Sequence, residues 1–190
     1  MDGAEQNETD ERAPFRIGDD ARPRLLRWEA GEARDLVSAE HRGYERLPAP
    51  VTHARAVLLD KRRRFFLVED TFAGRGAHTF RFRFHAGRSI VARVRAGGAE
   101  LYDAANGARL LFVALDVEAR PEVETRSTSR DYGERVTSQS LCWTVRADAP
   151  LSVAWALVPV GAGEDEGARL AETVGALRAT RRDDWWKNDE

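Results

Sequence analysis

Apolar and polar positions alternate along most of the chain in stretches of five to ten residues. Many of these stretches are rich in β-branched and aromatic side chains, and turn-forming clusters separate them. The pattern predicts strands at 24–29, 34–40, 52–60, 64–71, 77–85, 89–95, 99–103, 108–116, 120–126, 135–147 and 151–158. The breaks between them include Lys61-Arg62-Arg63, Ala73-Gly74-Arg75-Gly76, Asn106-Gly107 and Asp148-Ala149-Pro150. Helical spacing appears once, at 168–180, after Gly161-Ala162-Gly163. Short strands at this interval predict an all-β fold, an antiparallel β-sandwich of about ten to twelve strands with a short C-terminal helix or tail; a barrel is the alternative. The expected organisation is a polar lead-in over 1–20, the sandwich over 21–160 and an acidic tail over 161–190.

Composition narrows the field. A chain of 190 residues with 42% hydrophobic residues can bury a single core. Its formal net charge of −2 does not point to a nucleic-acid binder, although acids concentrate at the two ends and leave the middle cationic. All but two of the thirty bases are Arg, whose planar fork binds carboxylate and sulfate groups. One cysteine, Cys142, excludes a disulfide framework. The chain as written shows no apolar run long enough for a membrane span and no signal core in its first twenty residues. That gives a cytoplasmic expectation, or a periplasmic or secreted one for a part of an exported protein.

One constellation stands out. Directly paired residues of an antiparallel hairpin have position numbers with a constant sum. A turn centred between Lys61 and Arg62 sets His53 opposite Asp70, and a turn centred on Gly74 sets Asp70 opposite His78. The three would form a row across three neighbouring strands at the end of the inward apolar face. Two His and one Asp with an open position make a zinc-type ligand set; the alternative is a hydrogen-bonded His–Asp pair at the core edge. His85 competes with His78 for the third place.

The run Phe80-Arg81-Phe82-Arg83-Phe84-His85 alternates strictly, which sends the Phe side chains inward and Arg81, Arg83 and His85 to the other face. With Arg88, Arg93 and Arg95 this forms either a polyanion-binding surface or a solvated outer face. The chain holds no G-x-S-x-G elbow and no phosphate-cradling glycine loop, and Cys142 sits in an apolar strand.

Several motifs together resemble one family. They are His41-Arg42-Gly43-Tyr44-Glu45-Arg46-Leu47, then Pro50-Val51-Thr52-His53-Ala54-Arg55, Leu67-Val68-Glu69-Asp70, and Gly74-Arg75-Gly76-Ala77-His78 followed by Phe82-Arg83-Phe84-His85. Ser129-Arg130-Asp131-Tyr132-Gly133 and Leu157-Val158-Pro159 extend the likeness. This resembles the C-terminal β-sandwich domain of the heparinase II/III-like polysaccharide lyases, over roughly residues 20–160. The opening Met1-Asp2-Gly3-Ala4 is similar to a mid-chain stretch of that family, so a longer lyase is one origin for this chain.

The resemblance implies β-elimination on uronic-acid polysaccharides, with the proton-transferring Tyr and His supplied by a helical (α/α) toroid. This chain would contribute the accessory sandwich and be inactive alone. It also implies a structural zinc on His53, Asp70 and His78, and contact of His41 and Tyr44 with a uronate carboxylate; a packed Tyr ring and a turn-capping His are the alternatives. Independently of the resemblance, the arginine face gives Arg81 and Arg83 as contacts for an acidic polysaccharide. The competing functions are a free-standing acidic-polysaccharide-binding module and a fragment without function.

Overall fold

The computed structural model describes residues 1–10, 12, 13 and 16–187. Three residues of the expected lead-in (Glu11, Pro14 and Phe15) and residues 188–190 of the expected tail therefore lie outside the described residues.

The fold is all-β. Among the described residues nine strands follow one another: β1 (Arg24–Ala30), β2 (Arg34–His41), β3 (Val51–Asp60), β4 (Phe65–His85), β5 (Ile90–Arg95), β6 (Gly98–Asp103), β7 (Arg109–Ala114), β8 (Glu122–Thr128) and β9 (Val136–Val160). An α-helix, α1 (Glu166–Ala179), and a short 3-10 turn (Arg182–Asp184) come after them. All pairings are antiparallel, in the order β1-β2-β3-β4-β9-β7-β6-β5, with β8 also on β9.

The expected ten to twelve strands become nine because two expected turns are not turns. Ala73-Gly74-Arg75 forms a bulge inside β4. Phe72 pairs with Leu151 and Gly76 with Ala149, so three residues on one strand face one on the other. Gly76 takes the left-handed region at φ 93°, and a Cβ on Gly74 would stand 2.6 Å from the Pro50 carbonyl oxygen. Asp148-Ala149-Pro150 likewise continues β9, with a cis Ala149–Pro150 bond. The long strands β4 and β9 pair over nearly their whole length and share both hydrophobic clusters.

Strand alternation gives the shared strands two buried faces. On one, Val68, Phe72, Phe80 and Phe82 of β4 meet Leu141, Trp143, Val153 and Trp155 of β9, together with Ala92, Ala99 and Phe112. β5, β6 and β7 thus lie back over this aromatic core, and β5 touches both β8 and β9. On the other face, Phe65 and Leu67 join Ala154, Ala156, Val158 and Val160 under Leu177 of α1 and the partly buried Trp185 and Trp186. The expected helix is present, N-capped by Asp165, whose side chain accepts from the Ala168 N–H. Within 161–187, Leu170 and Leu177 of α1 and the following Trp185 and Trp186 pack on the sheet.

The start of the lead-in packs on the sheet. Met1 is buried in the aromatic core, and the Asp2 N–H donates to the Thr79 carbonyl on the β4 edge that β3 leaves uncovered.

Candidate functional site

The hairpin between β3 and β4 is two residues wider than its sequence suggests. Asp60 pairs with Phe65, and the Asp60 carboxylate accepts from the Arg63 N–H inside the turn. The whole register moves by two: Arg55 stands opposite Asp70, and His53 opposite Phe72. A shift of two preserves the face, so His53 and Asp70 remain neighbours on the diagonal, with His53 Nε2 2.7 Å from Asp70 Oδ1.

The third member of the expected row is displaced. Since Gly74 does not turn the chain, Asp70 and His78 lie on the same strand, and Asp70 pairs with Val153 while His78 pairs with Ala147. His78 instead places Nδ1 2.7 Å from Asp2 Oδ2 and Nε2 3.2 Å from the Arg75 carbonyl oxygen. His85, the competing third member, ends β4 and shares a 2.7 Å hydrogen bond with Ser140 Oγ. Neither meets Asp70.

His41 takes the vacated place from the other side. It pairs with His53 across β2 and β3, with Nε2 3.0 Å from His53 Nδ1, while its own Nδ1 accepts from the Gly43 N–H at 3.2 Å. That last bond fixes the protons of the chain. His41 must carry hydrogen on Nε2 and donate it to His53 Nδ1, so His53 carries its hydrogen on Nε2 and donates to Asp70. His53 also stacks on Phe72 at 4.4 Å between ring centroids.

Asp70 is fully buried. Burial alone would raise its pKa, but hydrogen bonds from His53 and Arg55 outweigh it and hold the carboxyl below the ordinary range. The Arg55 fork is bidentate, with Nε 2.8 Å from Oδ1 and Nη2 2.9 Å from Oδ2. Desolvation, reinforced by His53 and Arg55, pushes His41 down to about 4. Burial raises the Tyr44 phenol, and the Tyr44 ring lies edge-on to His41 at 5.1 Å.

These groups open onto one cavity of about 610 Å³ at the free edge of β4, between the lead-in and the β2–β3 loop. All four residues expected to contact saccharide, His41, Tyr44, Arg81 and Arg83, line it, as do His53, Arg55 and His85. Gly43 lets the lead-in close this wall, since a Cβ there would stand 2.0 Å from the Gln6 carbonyl oxygen. Arg46 fastens the same contact by donating to the carbonyls of Glu5, Gln6 and Gly43.

The arginine stripe is largely neutralised from within. Arg83 binds Glu124, whose carboxyl is held down to about 2 chiefly by that bond. Arg88 binds Glu134, Arg93 binds Glu100, and Arg95 binds Glu100 and Glu166. Arg81 is exposed and has no ion pair among the described residues. Sequence reasoning missed Arg55 as a cavity residue. The available signals were its even spacing from His53 and the capping Asp60, which marks the wider turn.

A similar antiparallel fold occurs within solved structures of larger proteins. Heparan sulfate lyase HepC from Pedobacter heparinus matches with a TM-score of 0.64 and 17% identity, over 75% of this chain and 22% of that one. A heparinase III structure matches with a TM-score of 0.59 and 22% identity, over 73% of this chain and 21% of that one. Among curated proteins none matches significantly. The family profile described as heparinase II/III-like, C-terminal, matches residues 2–156, and the chain belongs to this family. It spans about a fifth of the length of the solved structures it resembles.

Proposed function

We propose that this chain is the saccharide-facing β part of a polysaccharide lyase that cleaves uronic-acid polymers by β-elimination, with the proton-transferring groups supplied by a helical toroid. Membership of the heparinase II/III-like family supports a lyase context. The observation that carries the reading is the cavity where His41, Tyr44, Arg81 and Arg83 meet the half-exposed Arg55. In it a carboxylate or sulfate group meets Arg81, which has no ion pair among the described residues, and the outer side of Arg55, while the Tyr44 ring offers a face for a sugar. His41 is neutral near pH 7 and adds a polar contact without a charge.

A free-standing binding module using the whole arginine stripe is less favoured, because Arg83, Arg88, Arg93 and Arg95 are already paired with acids.

Calorimetric titration with a sulfated uronate oligosaccharide tests the reading. Wild type should bind, and Arg81→Ala should weaken binding roughly tenfold, as expected for loss of a charge-assisted contact. Incubation of the chain alone with the polymer should give no unsaturated product. Unchanged affinity in Arg81→Ala, or vigorous product formation by the chain alone, would sink it.

A further inference from the structure

We infer that the Arg55 guanidinium is the resident cation of the His53–Asp70 site, in the role that the family resemblance gives to zinc. The side chains present do not form a zinc set, and among the described residues no three His, Cys, Asp or Glu groups gather closely enough to hold a metal. The reason lies in how each donor is used.

Both oxygens of Asp70 accept from Arg55, and Oδ1 also accepts from His53 Nε2. A metal on His53 Nε2 would need the lone pair that a proton now occupies, and His53 Nδ1 accepts from His41. His41 Nδ1 accepts from the Gly43 N–H, so neither imidazole offers a free lone pair. His78 is held by Asp2 and the Arg75 carbonyl. The charges already balance, since one fully buried carboxylate faces one guanidinium. A dication beside Asp70 would sit against a fixed positive group, the Arg55 guanidinium.

The register explains why Arg serves here. Arg55 is directly opposite Asp70 in the β3–β4 ladder, so its fork meets the carboxylate in plane. The cation is then covalently part of the chain and independent of metal supply. This inference does not depend on the saccharide reading, because its test uses no saccharide.

The test is metal analysis of wild-type chain produced in zinc-supplemented medium and purified without chelator. It is paired with thermal unfolding in the presence and absence of EDTA or added zinc. Zinc well below one per chain and a midpoint unmoved by EDTA are expected. Nitrogen-15 NMR of the histidines should show His53 protonated on Nε2 and His41 on Nε2, and Arg55→Lys, which keeps the charge but loses the fork, should lower the midpoint by several degrees. About one tightly held zinc per chain with a chelator-sensitive midpoint, or a His53 Nε2 signal typical of a metal-bound nitrogen, would overturn the inference.

Discussion

Asp70 keeps its negative charge in the interior only through Arg55 and His53. Removing one member of a buried ion pair leaves the other uncompensated, at a cost of roughly 3–5 kcal/mol. Asp70→Ala should therefore destabilise the fold by about 3 kcal/mol in urea unfolding, the low end of that range because Arg55 keeps partial contact with solvent. Stability should also depend on acidity through His41. Its protonated form is disfavoured in the folded chain, with a pKa of about 4 against the ordinary 6.5. Between those values the unfolded chain takes up a proton that the folded chain refuses, so stability falls as pH falls from 6.5 towards 4. The loss should be on the order of 1–2 kcal/mol, reduced from the full shift because the ring is only half buried. Urea titrations at pH 7 and 4.5 would measure it, and His41→Asn should flatten the difference.

The closing element of the fold is the segment after β9. Trp185 packs beside Leu177 and donates from Nε1 to its carbonyl at 2.9 Å, and Arg182 reaches Glu69 at 2.6 Å and Asp116 at 3.0 Å. Trp185→Ala should cost roughly 1–3 kcal/mol, less than for a fully buried Trp, and raise binding of a hydrophobic dye at the uncovered sheet face. Strand and helix positions could be read from alternation with errors of one or two residues at most ends, since burial imposes the period of two. Continuity through 73–76 and 148–150 could not. Gly-rich and Pro-containing stretches have turn composition whether they turn the chain or only kink a strand, and the deciding contacts, such as Pro50 against Gly74, come from elsewhere in the sequence. The site divides in the same way. That His53 and Asp70 share a face follows from parity, which survives a shift of two. The third partner depended on whether the chain turns at Gly74; because it does not, His41 and not His78 meets His53, while the width of the 61–64 turn concealed Arg55.

Across the whole molecule, the cationic body inferred from the sequence is mostly balanced by its own acids. Retention on an acidic polysaccharide should therefore depend on the cavity rather than on total charge. Arg93→Ala, which removes a base already paired with Glu100, should elute from immobilised polysaccharide close to the salt concentration of wild type. Arg81→Ala should elute markedly earlier. If both variants shifted equally, retention would reflect bulk charge. A separate consequence follows from β4 and β9, which lie far apart along the chain yet pair along nearly their full length. A protease cut at the Asn106-Gly107 turn would sever the backbone and leave each piece holding one of the two long strands, so the halves should migrate as one particle and part only in denaturant.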